Sequence, residues 1–288
     1  MDFLRVGLPQ VVTAFGVEPF QRSLSWTGLL LGLWCLLATA EWASRFDLFR
    51  EGGLLSWRVL ALRPQWVHRG RLADIVHRPR GVAVVLGLRL ACAALLLLAP
   101  QGWLRVGLLA ALVATGWLMK LRNWLGEDGA DHMGQVVATG ATVTALGVQW
   151  RDPALCLAGA LLVAGQLTIS YVLAGAAKLV SFEWRSGRAL VGVMGTGAYG
   201  HPFAARVATA VTWVPIAFCW CVIAIETVFP AVLFAPRGAL LGVLAAFALF
   251  HGATAFFMGL NTFVWAFVAA YPSLLVVHAL LQQLMGRG

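Results

Sequence analysis

The chain has 288 residues, of which 60% are hydrophobic and only 11% charged, with a formal net charge of +9 and a mean hydropathy of +0.83. A soluble domain carries about a quarter charged residues, so this composition excludes an ordinary soluble globular protein and reads as a polytopic membrane protein. No nucleic-acid-binding motif accompanies the positive charge, which points to a bilayer with anionic headgroups as the partner and not to nucleic acid.

In chain order, residues 1–25 hold Asp2, Glu18, Pro9 and Pro19 without a continuous apolar core. They predict an interfacial segment and not a cleavable signal peptide. Apolar runs long enough to span a bilayer follow at 26–44, 81–99, 103–119, 133–149, 154–179, 208–234, 239–258 and 262–284. The expected fold class is therefore an all-α integral membrane protein, a bundle of about eight transmembrane helices. It forms a single domain over residues 1–288, with no soluble domain expected after the last run. Pro100-Gln101-Gly102, Arg151-Asp152-Pro153 and Ala235-Pro236-Arg237 are breaker-rich joins of tight helical hairpins. Gly259-Leu260-Asn261 is short enough for a re-entrant or kinked piece.

Three longer connections, 45–80, 120–132 and 180–207, fall on one side by parity and hold 13 basic residues, against six in the opposite termini and turns. The positive-inside rule makes the long-loop side cytoplasmic. In the first of these loops, Arg58, Arg63, Arg69, Arg71, Arg78, His68 and His77 interleave with Trp66, Val67, Leu72, Ile75 and Val76. That pattern predicts an interfacial helix in the headgroup plane, with a substrate-docking surface as the alternative.

Five cysteines lie inside apolar runs without a C-x-x-C pair and read as small buried hydrophobes. The run Gly195-Thr196-Gly197-Ala198-Tyr199-Gly200 matches G-x-G-x-x-G, but no strand precedes it and Pro202 follows. The dinucleotide reading is therefore rejected, and the glycines are expected to fold the loop tightly over a membrane cavity. Two carboxylates, Glu41 and Glu226, fall in spans and should face the bundle interior or lie near an end. Glu226 precedes Thr227-Val228-Phe229-Pro230, where the proline frees backbone near it. His251 and His278 sit in the last apolar runs, with no second ligand at i+3 or i+4, so no metal is expected. The acid-rich run 123–132 ends in Asp131-His132, which could relay protons or bind a cation. Alternatively, Asp131 caps the helix that begins near Met133.

Only two of the 21 basic residues are lysines, and one of them, Lys178, ends a long apolar run. Arginine stays charged under ordinary conditions, whereas a desolvated lysine amine can act as a base. Lys178 is thus a candidate for chemistry, or for a snorkelling contact with headgroups.

The segment Tyr171-Val172-Leu173-Ala174-Gly175-Ala176-Ala177-Lys178-Leu179, followed by Trp184 and Gly187, resembles the Y-x-x-A-G-x-x-K-L…W-x-x-G run of vitamin K-dependent γ-glutamyl carboxylase and of the broader horizontally transferred transmembrane (HTTM) family. Gly52-Gly53-Leu54-Leu55, Glu226-Thr227-Val228-Phe229-Pro230, and Phe250-His251 leading to Gly259 and Phe263 extend the resemblance along the chain. The resemblance implies that Lys178 deprotonates a reduced quinone of the vitamin K or menaquinol type. The quinolate then takes up O2, forms an epoxide and generates a strong base, with CO2 as a further reactant where carboxylation occurs. It implies that His251 assists and that Asp131 and His132 orient the second substrate. Tyr171, Trp184, Glu226 and Asn261 would surround the cofactor. The carboxylase's large folded domain has no counterpart before Gly288, and its W-N-N-H-S run is met only by Asp131-His132. The expected second substrate is therefore a smaller peptide or a lipid, in a bacterial plasma membrane. Three functions stay open: a quinol-dependent carboxylase-like enzyme, a non-enzymatic partner in maturing or exporting a small secreted peptide, and a small transporter. In the second, Lys178 is a counter-ion to Glu226 or Glu183.

Overall fold

The computed structural model describes residues 8–62, 76–122 and 128–286, which are mostly helical with no strand among them. A short helix α1 (Leu8–Phe15) leads into α2 (Glu18–Ser44), which begins eight residues before the first apolar run proper. A single turn, α3 (Trp57–Leu60), follows. Then come α4 (Pro79–Leu98), α5 (Trp103–Arg122), α6 (Gly129–Trp150) and α7 (Pro153–Val180). Three short helices, α8 (Phe182–Arg185), α9 (Arg188–Met194) and α10 (Pro202–Ala210), precede α11 (Trp213–Thr227). A 3-10 segment, Phe229–Phe234, joins α11 to α12 (Arg237–Met258), and α13 (Asn261–Val268) and α14 (Tyr271–Leu284) close the chain.

Among the described residues six helices are long and apolar enough to cross a membrane, α13 and α14 being one of them together; the bent pair α10–α11 brings the number to seven. The eighth expected span, 133–149, is the centre of the 22-residue α6. It does not join the six because Thr139, Thr142 and Thr144, with Gln135 and Gln149, dilute its apolarity. Its place is internal: α6 packs against α7, α5, α2 and α13. Helix α7 in turn packs against α6, α11 and α14.

The expected single span 208–234 is broken. Helices α10 and α11 meet at 106°, with Val211 extended at φ −124°, ψ 91°. Pro215, third in α11, has no N–H to give the Val211 carbonyl, so one straight helix cannot run through this point. The same chemistry divides α13 from α14, where Pro272 cannot donate to Val268. Helix α6 also starts differently from expectation. Its cap is Asp128, extended at φ −115°, whose carboxylate accepts from Ala130 N at 2.8 Å and Asp131 N at 3.1 Å. Asp131 lies inside the first turn, too far along to take the capping conformation.

Of the first long connection, residues 63–75 lie outside the described residues, so the expected interfacial helix is mostly beyond them. What is described is tied down. Arg122, buried at 1% exposure, donates from Nη2 to the Leu55 carbonyl at 2.8 Å and from Nε to the His77 carbonyl at 3.1 Å. Its guanidinium also lies 4.7 Å from the Phe49 ring.

Candidate functional site

On α7 the residues Tyr171, Gly175 and Lys178 stand at i, i+4 and i+7 and so share one face. That face meets the end of α11. A Cβ on Gly175 would stand 2.6 Å from Thr227 N and 2.9 Å from Glu226 Cβ, so only glycine lets the two helices approach this closely. The approach brings Lys178 Nζ to 2.7 Å from Glu226 Oε2. The side chains are 17% and 4% exposed respectively, so the carboxylate is sealed while the amine keeps an outlet.

The outlet is roofed by an aromatic ring. Helix α7 stops at Val180, and Ser181 caps the one-turn helix α8, its hydroxyl accepting from Trp184 N at 3.4 Å. The chain thereby doubles back and sets Lys178 Nζ 5.0 Å from the centre of the Trp184 ring, a cation–π contact. Gly187 (φ +76°) completes the turn where a Cβ would strike Ile216 N. Glu183, the other conceivable partner for Lys178, is exposed and accepts a hydrogen bond from Ser181 Oγ at 3.0 Å. Its own backbone N–H, and then that hydroxyl, hold its carboxyl below the ordinary range.

Two turns deeper, Tyr171 Oη and His251 Nε2 are 3.1 Å apart, both side chains being buried. Aromatic rings enclose them. Phe247 stacks on Tyr171 at 3.9 Å, Phe229 meets its edge at 4.7 Å, and Phe267 packs on His251 at 4.5 Å. The His251 backbone carbonyl accepts from Thr254 Oγ1 at 2.8 Å. Sequence reasoning singled out Tyr171 and His251 separately. It missed Phe247 and Phe267, whose only signal was helical spacing in segments that are apolar all round, and gave Phe229 only as part of the run from Glu226 to Pro230.

Beside this cluster lies a cavity of about 410 Å³ lined almost wholly by apolar atoms, with Trp184, Leu190, Phe203, Phe218, Phe250 and Phe257 on its wall. Its volume falls in the range of small-ligand sites, about 300–1,000 Å³. The loop 195–200 turns tightly next to it: the Thr196 hydroxyl donates to the Val193 carbonyl at 2.8 Å and accepts from Tyr199 N at 3.2 Å. Trp184 belongs to both places, its ring beneath the Lys178 amine and also part of the cavity wall. Phe250 does the same for His251, 5.4 Å away.

The remaining expected site residues lie elsewhere. His132 Nδ1 is 2.9 Å from Lys120 Nζ, and Asp131 lines a separate small cavity with Arg89, Lys120 and Gln135. Asn261 is the exposed first residue of α13. His278 is structural: its Nε2 lies 2.9 Å from the Ala235 carbonyl, which also accepts from Gln282 Nε2 at 3.0 Å. Glu41 is exposed near the end of α2. Of the five cysteines all but Cys221 are buried, and none is in a disulfide.

No family model, curated protein or solved structure matches this chain.

Proposed function

We propose that the chain is a membrane-embedded, quinol-dependent enzyme of the carboxylase-like HTTM type, with the Lys178–Glu226 pair as its proton-transfer centre. The observation that supports this best is an ionisable pair, 2.7 Å apart, separated by one aromatic ring from a cavity of about 410 Å³ with apolar walls. A two-ring quinone head with an isoprenoid tail is apolar except for its two oxygens, which suits such a space. It can enter sideways from lipid. The bundle in this reading crosses the membrane about eight times, counting α6 and the α10–α11 pair, with an interfacial helix in the first long loop. It sits in a bacterial plasma membrane against anionic headgroups.

Chemically, Glu226 gives the amine's proton a second place to sit, so Lys178 can present a free electron pair to a quinol hydroxyl. A quinol bound there would give up a hydroxyl proton to this pair, and its oxidation by O2, hydroquinone plus O2 becoming quinone epoxide plus water, would supply a strong base. The base released on the way removes a proton from a small peptide or lipid, to which CO2 can add. Tyr171 and His251 hold the inner end of the site, and Trp184 positions the amine. Asp131, His132 and Asn261 make no described contact with the pair, and no catalytic step is assigned to them.

The test is quinol epoxidation by the purified chain, given reduced naphthoquinone and O2 and read by mass spectrometry. Wild type should form epoxide, Lys178→Met none, and Lys178→Arg none, because a guanidinium keeps the charge but is no base. The salt bridge itself favours a second reading, a non-enzymatic partner of a small secreted peptide in which Lys178 is only the counter-ion of Glu226. That reading gains if wild type forms no epoxide while Lys178→Arg retains stability and peptide maturation.

A further inference from the structure

Arg89 is the eleventh residue of the 20-residue α4, so about 15 Å of helix separates it from either end. It is 7% exposed. Its Nε donates to Thr39 Oγ1 at 3.4 Å, and Nη1 donates to the Leu112 carbonyl at 3.2 Å and to Thr115 Oγ1 at 3.4 Å. These bonds are long for N–H···O, and every acceptor is neutral. Among the described residues Arg89 forms no ion pair, and its Nη2 makes no hydrogen bond. A guanidinium midway along an apolar helix costs several kcal/mol unless an anion accompanies it.

Beside it lies a cavity of about 40 Å³, lined by Arg89, Lys120, Asp131 and Gln135 between the walls of Trp34 and Trp42. A water-sized sphere needs roughly 10–15 Å³ on this measure, so the space holds about three or four heavy atoms. That is the size of one carboxylate group. Lys120 stands in the last turn of α5 and Asp131 in the first turn of α6, so the cavity runs from the helix ends inward to the arginine.

We infer that this cavity binds a small monovalent carboxylate-type anion, of formate, acetate or bicarbonate size, held by the unused Nη2 edge of Arg89. The anion supplies the charge that the neutral acceptors around the guanidinium do not. Trp34 and Trp42 set the size limit. Asp131, across the cavity, weakens the attraction and keeps the anion exchangeable. The inference is independent of the quinol reading, because none of its residues belongs to the Lys178 cluster.

The competing account is that Asp131 itself neutralises Arg89 through water. The two separate in an unfolding assay of the full chain in detergent, with sodium formate, acetate or benzoate added at an ionic strength balanced by sodium gluconate. The inference expects a saturable rise in Tm with formate and acetate and none with benzoate. Asp131→Asn should tighten the apparent Kd, and Arg89→Lys should weaken it by about tenfold or more, since an ammonium lacks the planar fork. It is overturned if wild type shows no difference between small and bulky carboxylates, or if Arg89→Lys keeps the full response. A response confined to Asp131→Asn also overturns it, by showing that Asp131 fills the anion's role. Should Arg89→Lys fail to fold, the wild-type size series and Asp131→Asn decide the matter.

Discussion

Two of the buried charge clusters among the described residues are treated in opposite ways. On α7 and α11, Lys178 meets a carboxylate directly at 2.7 Å, and Tyr171 pairs with His251 inside aromatic walls. On α2, α4, α5 and α6, Arg89 meets only hydroxyls and a carbonyl, at 3.2–3.4 Å, beside a cavity. The first cluster is electrically closed and its interesting property is where a proton sits. The second is electrically open and its interesting property is what enters. The two lysines repeat the contrast: each lies near a tryptophan ring, at 5.0 Å for Lys178 and 5.5 Å for Lys120, yet one is bonded to a carboxylate and the other to an imidazole.

Removing the closed cluster's counter-charge should be the largest effect. Glu226→Gln strands an ammonium that has only a narrow outlet, and should cost about 2–3 kcal/mol of unfolding free energy in detergent, near the lower edge for breaking a buried pair. The double variant Lys178→Met/Glu226→Leu should recover most of that loss. If Glu226→Gln is neutral, the pair is not buried in solution and the contrast collapses. Next comes Gly175→Leu, which forces α7 and α11 apart against the Thr227 backbone and should cost about 1–3 kcal/mol. It should also lower quinol turnover, and a stability loss without turnover loss would detach the pair from the chemistry. Tyr171→Phe, which leaves His251 Nε2 without its 3.1 Å partner, should cost about 1–2 kcal/mol by the same unfolding measurement. Smallest, His132→Ala beside the partly exposed Lys120 should shift stability by about 0.5 kcal/mol or less. A cost equal to that of Glu226→Gln would mean the second cluster is as closed as the first.

Much of the closed cluster was legible in the sequence. The spacing Tyr171–Gly175–Lys178 fixes a single helix face, Glu226 was one of only two acids in apolar runs, and Pro230 marked the end of its helix. The partner identity was not legible, because Glu183 and Glu226 are equally available in one dimension; the contact depends on which helix Gly175 admits. The bend at Val211 was hidden for a similar reason. Residues 208–234 are apolar throughout, so hydropathy alone reads through a break that Pro215 imposes on the backbone. Arg89 stands out less for the opposite reason: with 19 arginines in the chain, one more draws little notice, although this one stands in the middle of the run 81–99. Its isolation in that run was the available signal. The sequence leaves Asp131 as either a proton-relaying group or the cap of a helix near Met133; the cap fails because the helix starts at Gly129, and Asp128 has the extended backbone that capping needs.

The grip of Arg122 on Leu55 and His77 has a consequence for the chain's continuity. Both carbonyls bind the same guanidinium, so the strands entering and leaving the first long connection are fastened to α5 independently of the peptide that joins them. A protease cut between residues 62 and 76 should therefore yield two pieces that still co-purify as one particle, and the same pieces expressed separately should reassemble. Arg122→Ala removes that fastening and should weaken the reassembly, which the packing of α2 on α4 and α6 still supports.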